Sequence, residues 1–290
     1  MVQRVLITGG LGFVGADLAV AALSKGFVVR VSSRRGGAAL DSRLEFSQVT
    51  ELGPTTGWTA ALQEVETVVH CAGRAHVMRD TAVDPLAAFR ISNVAGTLNL
   101  ARQAVKAEVK RFVFVSSIGV NGVLTAEGQA FSESDQPMPH NAYALSKWEA
   151  EQGLQRIADE TGLDVVIVRP PLVYGFGAPG NFGSLVRFVR RGWPLPLGAV
   201  HNQRSLVALD NLVDFIVTCI THPNAANQTF LVSDGRDLST TELVRGMALA
   251  ASVPARMLAV PMWALRAGAT LLGKGDAVQR LCGNLQVDMS

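Results

Sequence analysis

Tyr143 and Lys147 lie four residues apart in the segment YALSK, between a loop rich in Pro and Asn and an amphipathic run that predicts a helix. Residues i and i+4 share one face of an α-helix, so the lysine ammonium can reach the surroundings of the tyrosine hydroxyl. A free phenol has a pKa of about 10, and it needs a nearby cation to ionise near neutral pH. The pair can therefore serve as a general acid/base, although a surface pair without function would have the same spacing.

Apolar, β-branched segments alternate with helical patterns from the N-terminus onwards, and they include VLITG, FVVRVSS, TVVHCAG, RFVFVSS and DVVIVRP. Continuous apolar strands between helices are typical of a parallel sheet covered on both faces. We therefore expect an α/β protein with a doubly wound parallel sheet, a Rossmann fold, over residues 1–172, to which 205–222 return. A smaller C-terminal α/β lid is expected from residues 173–204 and 223–290.

The composition predicts a globular protein with a sizeable core. The chain has 290 residues, of which 48% are hydrophobic and 17% charged, and this length accommodates one large domain or two small ones. The formal net charge is +2, and basic residues occur in short pairs rather than long runs. That pattern argues against a nucleic-acid partner and favours a small anionic ligand.

The three cysteines, Cys71, Cys219 and Cys282, are widely spaced and include no CxxC pair. This argues against a disulfide framework or a structural zinc site and favours the reducing cytoplasm. The histidines show no metal-ligand spacing, so no metal is expected. The N-terminus lacks the pattern of a signal peptide. Pro261 and Arg266 interrupt the most apolar C-terminal segment, so we expect a packing helix there and no membrane insertion.

Gly9, Gly12 and Gly15 lie where a predicted strand ends and a predicted helix begins, in LITGGLGFVG. Glycines at these positions allow a tight turn and close approach of the backbone to a pyrophosphate, and the helix N-terminus attracts the anion. A glycine-rich turn without a ligand is the alternative, but the strand and the helix supply the context that a dinucleotide site requires.

The second predicted strand ends in VSSRRGG. An acidic residue there would hold the ribose 2'-hydroxyl of NAD, whereas an arginine accommodates the 2'-phosphate of NADP. Ser33, Arg34 and Arg35 therefore favour NADP(H), with Arg34 as the first candidate because it follows the strand directly. If these arginines are only solvated, NAD(H) is possible.

Ser116 and Ser117 end another predicted strand, in FVFVSSIGVNG. The carboxyl ends of strands in open α/β sheets face the ligand crevice. Ser117, Tyr143 and Lys147 are therefore a candidate catalytic triad.

Six segments occur in an order and spacing that resemble the extended short-chain dehydrogenase/reductase family of nucleotide-sugar epimerases, dehydratases and 4-ketoreductases: TGGLGFVG, VVHCAG, NVAGTLNL, FVSSIGVNG, YALSK and RPPLVYG. The resemblance implies that Tyr143 is the general acid/base, that Lys147 stabilises its phenolate and binds the nicotinamide ribose, and that Ser117 hydrogen-bonds the reacting sugar oxygen. The cofactor-binding residues that the motifs and the resemblance predict are Gly9, Gly12, Phe13, Val14, Gly15, Ser33, Arg34, Val49, Cys71, Ala72, Gly73, Asn93, Ser116, Tyr143, Lys147 and Pro170.

The resemblance further implies that the lid binds the substrate, a nucleotide sugar. Asn181 in NFGSLVRFVRRG and Arg204 in HNQRSLVALDNLVDFI match segments that contact the sugar and its diphosphate. An arginine suits the diphosphate because its planar guanidinium can donate two parallel hydrogen bonds, although a surface ion pair is an alternative role for Arg204. His70 is expected to be a buried, hydrogen-bonded imidazole rather than a catalytic group.

Three positions depart from the family pattern. Asn121 stands where several members have Tyr, Gly119 where epimerases often carry a second hydroxyl, and Gln48 where many members hold the adenine amine with an Asp. The final segment, GNLQVDMS, resembles the start of a part that members continue into another helix, so we expect the sequence or the lid to be incomplete there.

The motifs resemble most closely the bacterial surface-polysaccharide branch, which acts at C4 of UDP-linked hexoses. Ser33 and Arg34 favour an NADPH-linked 4-ketoreductase, and the alternative is a UDP-hexose or N-acetylhexosamine 4-epimerase with tightly bound NAD. The family's dehydratases place acidic residues near the catalytic serine. The segment SSIGVNG has none, so the resemblance disfavours a dehydratase. An inert NADP-binding regulator is the most distant alternative, since Tyr143 and Lys147 are both retained. The resemblance also implies a homodimer formed through a four-helix interface that includes the Tyr143 helix.

Overall fold

The structure is a computed structural model, which describes residues 2–34, 41–75, 82–271, 273 and 275–289. Its strands are β1 (Arg4–Thr8), β2 (Val28–Ser33), β3 (Glu45–Gln48), β4 (Thr67–His70), β5 (Arg111–Val115), β6 (Asp164–Arg169), β7 (Leu172–Tyr174), β8 (Leu206–Ala208) and β9 (Thr229–Leu231). Its helices are α1 (Phe13–Ser24), α2 (Thr59–Leu62), α3 (Pro85–Phe89), α4 (Gly96–Lys106), α5 (Ala142–Thr161), α6 (Gly180–Arg190), α7 (Leu209–Thr221), α8 (Thr240–Ala250), α9 (Met262–Leu271) and α10 (Gly275–Cys282). A π-helical turn, Arg90–Ala95, joins α3 to α4, and 3-10 turns cover Ile118–Val120 and Pro223–Ala225.

Seven strands of the described chain form one sheet in the order β3-β2-β1-β4-β5-β6-β9. Every neighbouring pair in this sheet is parallel. The strand order reverses between β1 and β4, and ligands of such sheets bind in the crevice outside the carboxyl ends of the strands at this point. The predicted doubly wound parallel sheet is confirmed.

Two apolar layers cover the sheet because successive residues of a strand point to opposite faces. Val5 and Ile7 of β1 belong to the layer beneath α1 and α7. Leu6 belongs to the opposite layer, which Leu100 of α4 and Leu154 of α5 complete. Since both faces are covered, the central strands are largely apolar, which explains the continuous runs in the sequence.

The C-terminal elements form a smaller unit. Its core includes Val189 of α6 and Val244 of α8. β7 and β8 form a separate parallel pair, and Val207 of β8 belongs instead to the main-sheet layer beneath α1 and α7. Met262 and Leu265 of α9 pack on the core of the smaller unit, so this segment is a packing helix as expected. Among the described residues, no helix is both long enough and apolar enough to cross a membrane.

One strand departs from the predicted domain boundaries. The predicted lid includes all of residues 223–290, but β9 pairs with β6 at the edge of the main sheet. The strand is only three residues long, which is too short for its periodicity to indicate the sheet it joins.

Candidate active site

The turn between β1 and α1 forms a cradle of backbone groups. Gly9 has a φ of +67°, a conformation that glycine adopts readily, and its carbonyl oxygen accepts a hydrogen bond of 2.8 Å from Gly12 N. A Cβ at Gly15 would lie 2.3 Å from that oxygen, so only glycine fits there. Phe13 and Val14, in the first turn of α1, pack against the core. The cradle and the free N–H groups of the helix N-terminus fit the pyrophosphate of a dinucleotide.

The end of β2 carries a serine where a carboxylate would select NAD. Ser33 is the last residue of the strand, its carbonyl oxygen accepts a hydrogen bond of 3.1 Å from Val49 N, and the next residue, Arg34, is exposed. Gln48 donates a 3.4 Å hydrogen bond to the Arg34 carbonyl oxygen. Arg35 lies outside the described residues, so the 2'-phosphate site stays a prediction.

His70 closes β4 as a structural group. It is fully buried, with Nδ1 hydrogen-bonded to Thr8 Oγ1 at 2.6 Å and Nε2 to Thr97 Oγ1 at 2.9 Å. Burial lowers the pKa of the imidazole to about 3, because a charged ring would lose its hydration there. The expected buried, hydrogen-bonded imidazole is confirmed.

The loop after β4 approaches the centre of the site. Thr8 Oγ1 accepts a 3.2 Å hydrogen bond from Ala72 N, and burial raises the pKa of the Cys71 thiol to about 12. Because only the thiolate is a good nucleophile, Cys71 is suited to lining the site rather than to attack. A Cβ at Gly73 would lie 3.6 Å from Lys147 Nζ, so this loop runs beside the predicted catalytic lysine.

Asn93 fixes the same loop from the helical side. It is buried on the π-helical turn, where Oδ1 accepts a 2.7 Å hydrogen bond from Arg74 N. Its Nδ2 donates to the Arg74 carbonyl oxygen at 3.1 Å and to Ser146 Oγ at 3.0 Å. Asn93 is therefore not the plain surface residue that its sequence alone would allow. π-Turns within helices occur frequently at functional sites.

Tyr143 and Lys147 face the site from α5. Asn141 caps this helix by accepting a 2.8 Å hydrogen bond from Ala144 N, which places Tyr143 in the first turn with its ring 6.0 Å from that of Phe89. Burial raises the pKa of the phenol to about 12. The phenol therefore needs a stabilising charge before it can act as a base.

Lys147 is 4% exposed. Its Nζ donates a 2.9 Å hydrogen bond to the Val115 carbonyl oxygen and lies 4.5 Å from the centre of the Phe114 ring. Burial lowers the pKa of the ammonium to about 8. This cation is thus anchored to the carboxyl end of β5, one helical turn from Tyr143.

Ser117 follows the same strand and begins a 3-10 turn. Its Oγ accepts a 3.1 Å hydrogen bond from Gly119 N, and the turn is tied to the end of β6 because Ile118 N donates to the Pro170 carbonyl oxygen at 3.0 Å. A Cβ at Gly119 would lie 3.3 Å from Ser117 Oγ. Ser117, Lys147 and Pro170 are thereby gathered at the carboxyl ends of β5 and β6.

The hydroxyl of Ser116, a predicted cofactor ligand, contacts a buried carboxylate, and its role toward the cofactor stays a prediction. It donates a short hydrogen bond to Glu151, which also forms a buried ion pair with Arg169. Sequence reasoning missed Glu151 and Arg169. The available signal was the spacing, since Tyr143, Lys147 and Glu151 follow one another at four-residue intervals on α5, and such residues share a face.

The two predicted substrate ligands belong to the lid. Asn181 is exposed in the first turn of α6. Arg204 is half-buried, its Nη1 donates a 3.0 Å hydrogen bond to the Gly283 carbonyl oxygen, and burial lowers the pKa of its guanidinium. Within the described residues, no hydrogen bond joins either side chain to the triad.

A glycine cradle at the switch point of a parallel sheet, with a tyrosine and a buried lysine presented from α5 beside the ends of its strands, defines a dinucleotide-dependent enzyme of the short-chain dehydrogenase/reductase type. Residues 5–233 match the family described as the NAD dependent epimerase/dehydratase family. The chain is also 47% identical over 291 residues to a protein of Vibrio cholerae named UDP-glucose 4-epimerase, an alignment that covers 100% of this chain and 88% of the relative. The chain belongs to the NAD-dependent epimerase/dehydratase family.

Solved structures share the fold. The UDP-glucose 4-epimerase of Thermus thermophilus, in complex with NAD, is 25% identical with a TM-score of 0.75, over 89% of this chain and 86% of the other. The UDP-glucose 4-epimerase of Thermotoga maritima, with UDP-glucose, has a TM-score of 0.74 over 99% and 90% of the two chains, and its 21% identity supports the fold alone. The predicted family is confirmed.

Proposed function

We propose that the protein is a 4-epimerase of a UDP-linked hexose, with NAD as its cofactor and Tyr143 as its acid/base. The observation that carries this proposal is the pair of half-buried Tyr143 and buried Lys147 beside the glycine cradle. Similarity over the whole length to the Vibrio cholerae protein named UDP-glucose 4-epimerase favours epimerisation over the reduction that Ser33 and Arg34 alone favour.

The chain's own residues would hold and move a proton at the sugar O4. NAD, when bound at the cradle, supplies a reversible hydride acceptor for the sugar C4. Tyr143, ionised to the phenolate in the reacting complex, takes the proton of the C4 hydroxyl on its Oη and later returns it, while Ser117 Oγ hydrogen-bonds and orients the same oxygen. The Lys147 ammonium lowers the free energy of the phenolate, which burial otherwise disfavours. General acid/base catalysis of this kind contributes about 10²- to 10⁴-fold.

The lid would hold the UDP group. The guanidinium of Arg204 donates one described hydrogen bond within the protein, to the Gly283 carbonyl oxygen, so further donors of this group are available to the diphosphate. The exposed amide of Asn181 can bond the sugar or phosphate once the substrate is present. The domain division, with residues 173–204 and most of 223–290 as the substrate-binding part, belongs to this proposal.

Epimerisation is tested by incubating the purified protein with UDP-glucose and, separately, UDP-N-acetylglucosamine, and following the sugar protons by NMR. The expected result is conversion to the C4 epimer at equilibrium without net consumption of cofactor. NADPH oxidation on a UDP-4-keto-hexose, with no epimerisation of either substrate, would overturn the proposal.

A second candidate is the NADPH-linked 4-ketoreductase. It is favoured by Ser33, which ends β2 without a carboxylate, and by the exposed Arg34 that follows it. Denaturing the protein and identifying the released nucleotide, then titrating the stripped protein with NAD and NADP, separates the two. Retained NAD supports the epimerase, whereas an empty site that prefers NADPH and loses this preference in Arg34→Ser supports the reductase.

The protein is proposed to form a homodimer through α4 and α5. A surface groove there is lined by Ile91, Val94 and Leu98, and Ile91 is 55% exposed in the single chain. Light scattering after size-exclusion chromatography should give a dimer for the wild type and a monomer for Ile91→Glu. Val20→Glu, at an exposed position of α1, is the matched control, and a monomeric wild type would contradict the proposal.

A further inference from the structure

A buried polar cluster lies directly behind the triad, and it consists of Glu151, Arg169, Ser116 and Asn121. Arg169 Nη2 lies 2.6 Å from Glu151 Oε2, and its Nε lies 3.1 and 3.2 Å from the two carboxylate oxygens. Arg169 Nη1 donates to Asn121 Oδ1 at 3.0 Å, and Ser116 donates to Glu151. All four side chains are buried, Glu151 being 2% exposed and Arg169 4%.

Each member of this Glu151 cluster adjoins a group of the predicted site. Ser116 lies between Val115, whose carbonyl oxygen accepts from Lys147, and Ser117. Arg169 directly precedes Pro170, whose carbonyl oxygen accepts from the turn that Ser117 begins.

Two further links complete the connection. Glu151 follows Lys147 by four residues on α5, and Asn121 follows the 3-10 turn that Ser117 begins. Asn121 Nδ2 also donates to the Ser132 carbonyl oxygen at 2.9 Å. The cluster therefore joins α5 to the carboxyl ends of β5 and β6, which are the elements that carry the triad. It also gives Asn121, a departure from the family pattern, a structural role.

The charges around Lys147 also indicate a role for Glu151. The groups that act electrostatically on or with Lys147 are His70 of β4, Cys71 in the loop after it, and Glu151 from its own helix. Burial holds the pKa of His70 at about 3 and that of Cys71 at about 12, so both are neutral near pH 7. Tyr143 is also protonated there, since its pKa is about 12. Arg169, from β6, forms its ion pair with Glu151. Among these described groups, Glu151 supplies the negative charge that favours the Lys147 ammonium.

We propose that Glu151 is a positioning residue: through Ser116 and Arg169 it fixes Ser117 and Lys147 relative to Tyr143, and its carboxylate keeps the proton on Lys147. This inference rests on the roles that the proposed function gives to Tyr143 and Lys147. It adds a buried anion, one helical turn beyond the lysine, to the groups named in the proposed function.

The electrostatic part is tested without any substrate. In protein labelled with ¹³C-lysine, the Lys147 ε-carbon resonance, assigned by its absence from Lys147→Met, reports the titration of the ammonium. Glu151→Gln removes the carboxylate and leaves the Arg169 guanidinium unpaired. Both changes disfavour the positive charge of the Lys147 ammonium. We expect the wild-type pKa near 8 to fall by about one unit or more in Glu151→Gln. A folded Glu151→Gln protein with an unchanged Lys147 titration would overturn this part, whether or not the protein is an epimerase.

The matched control is Glu149→Gln. Glu149 lies on the same helix, two residues away, and pairs with Arg90 on the surface. It should leave the Lys147 titration and the turnover number unchanged. An equal shift in both variants would overturn the specific role of Glu151.

The geometric part is tested by kinetics on whichever sugar reaction the wild type catalyses. Glu151→Gln should lower kcat by about tenfold or more, with KM within about threefold, because orientation rather than binding is lost. The alkaline limb of its pH–rate profile should move to lower pH, since Lys147 loses its proton earlier. Arg169→Lys keeps the charge but loses the two-point contact, so it should lower kcat while the Lys147 titration stays in place.

Ser116→Ala keeps the ion pair and decides the question if Glu151→Gln fails to fold. It should lower kcat about three- to tenfold at an unchanged melting temperature. An unchanged kcat in Ser116→Ala, or in a folded Glu151→Gln protein, would overturn the positioning role.

Discussion

The catalytic half and the lid hold their candidate residues in different ways. On the catalytic side, Asn93 makes three hydrogen bonds, Lys147 is anchored to a strand carbonyl, and Glu151 is clamped by Arg169. In the lid, Asn181 is exposed and Arg204 makes a single side-chain bond. The groups around Tyr143 are therefore held by hydrogen bonds within the protein itself, whereas the predicted substrate ligands have donors left for a substrate.

This difference follows from what each half must do. A proton transfer requires the acid, the base and the stabilising charge at fixed separations, and buried hydrogen bonds provide that. Binding a large anion requires donors that are not already satisfied, because a donor fully used within the protein gives little to a ligand. The comparison predicts that mutations in the catalytic half act on kcat and those in the lid on KM.

The largest expected effect is that of Tyr143→Phe. Removing only the hydroxyl eliminates the acid/base, so kcat should fall by about 10³-fold or more, while the ring still packs against Phe89 and the melting temperature changes little. The epimerisation assay measures it.

Tyr174→Phe is the matched control, since Tyr174 is the second of the two tyrosines in the chain. Its hydroxyl donates a 2.7 Å hydrogen bond to Asp234, which is not part of the triad. It should retain most of the activity. A Tyr143→Phe protein within tenfold of wild type would contradict the assignment of the acid/base.

Acid should lower the stability of the catalytic half, because His70 is buried there without a charge. Its pKa is about 3 in the folded protein against an ordinary 6.5, so between these values the unfolded chain binds a proton that the folded chain does not. Stability is therefore lost as the pH falls through this window, by about 3 kcal/mol between pH 6.5 and about pH 4. Urea unfolding at a series of pH values measures this loss.

In His70→Gln the loss over the same window should be smaller by about that amount, although the variant starts less stable because two buried hydrogen bonds are altered. His201→Gln changes an exposed histidine and should keep the wild-type slope. A His70→Gln protein with the wild-type pH dependence would show that His70 does not carry it.

Much of the catalytic half could be predicted because its signals are local. Gly9, Gly12 and Gly15 reveal the cradle through backbone requirements, and the four-residue spacing of Tyr143 and Lys147 reveals a shared helix face. Apolar strands between helices predicted the parallel sheet.

The parts that escaped prediction depend on contacts between distant segments. Glu151 lies on a helix and Arg169 on a strand. In the sequence both look like ordinary surface residues, and only the packing of the two elements shows that they form a buried pair. β9 is too short to indicate its sheet. Whether Arg204 bonds a diphosphate depends on how the lid meets its ligand, which no spacing in the chain encodes.

Arg204→Gln tests the lid side of the comparison. If the guanidinium binds the diphosphate equally in the ground state and the transition state, KM should rise about 10- to 100-fold while kcat stays within about threefold. Steady-state kinetics with the UDP-sugar separates the two parameters. Arg191→Gln, at an exposed position just after α6, should leave both unchanged. An unchanged KM in Arg204→Gln would mean that the bond to Gly283 is its main role.

The smallest effect is expected at Lys110, whose neighbour in the chain provides the contrast. Lys110 pairs with Glu66 at the surface with 74% of its side chain exposed, so Lys110→Gln should change the free energy of unfolding by less than about 0.5 kcal/mol. Arg111 is 9% exposed and donates to three backbone carbonyl oxygens at and just after the end of α7. Arg111→Gln should therefore cost about 2 kcal/mol or more, because buried acceptors lose a charged donor. Urea unfolding of both variants measures the difference, and equal costs would show that burial does not separate the two positions.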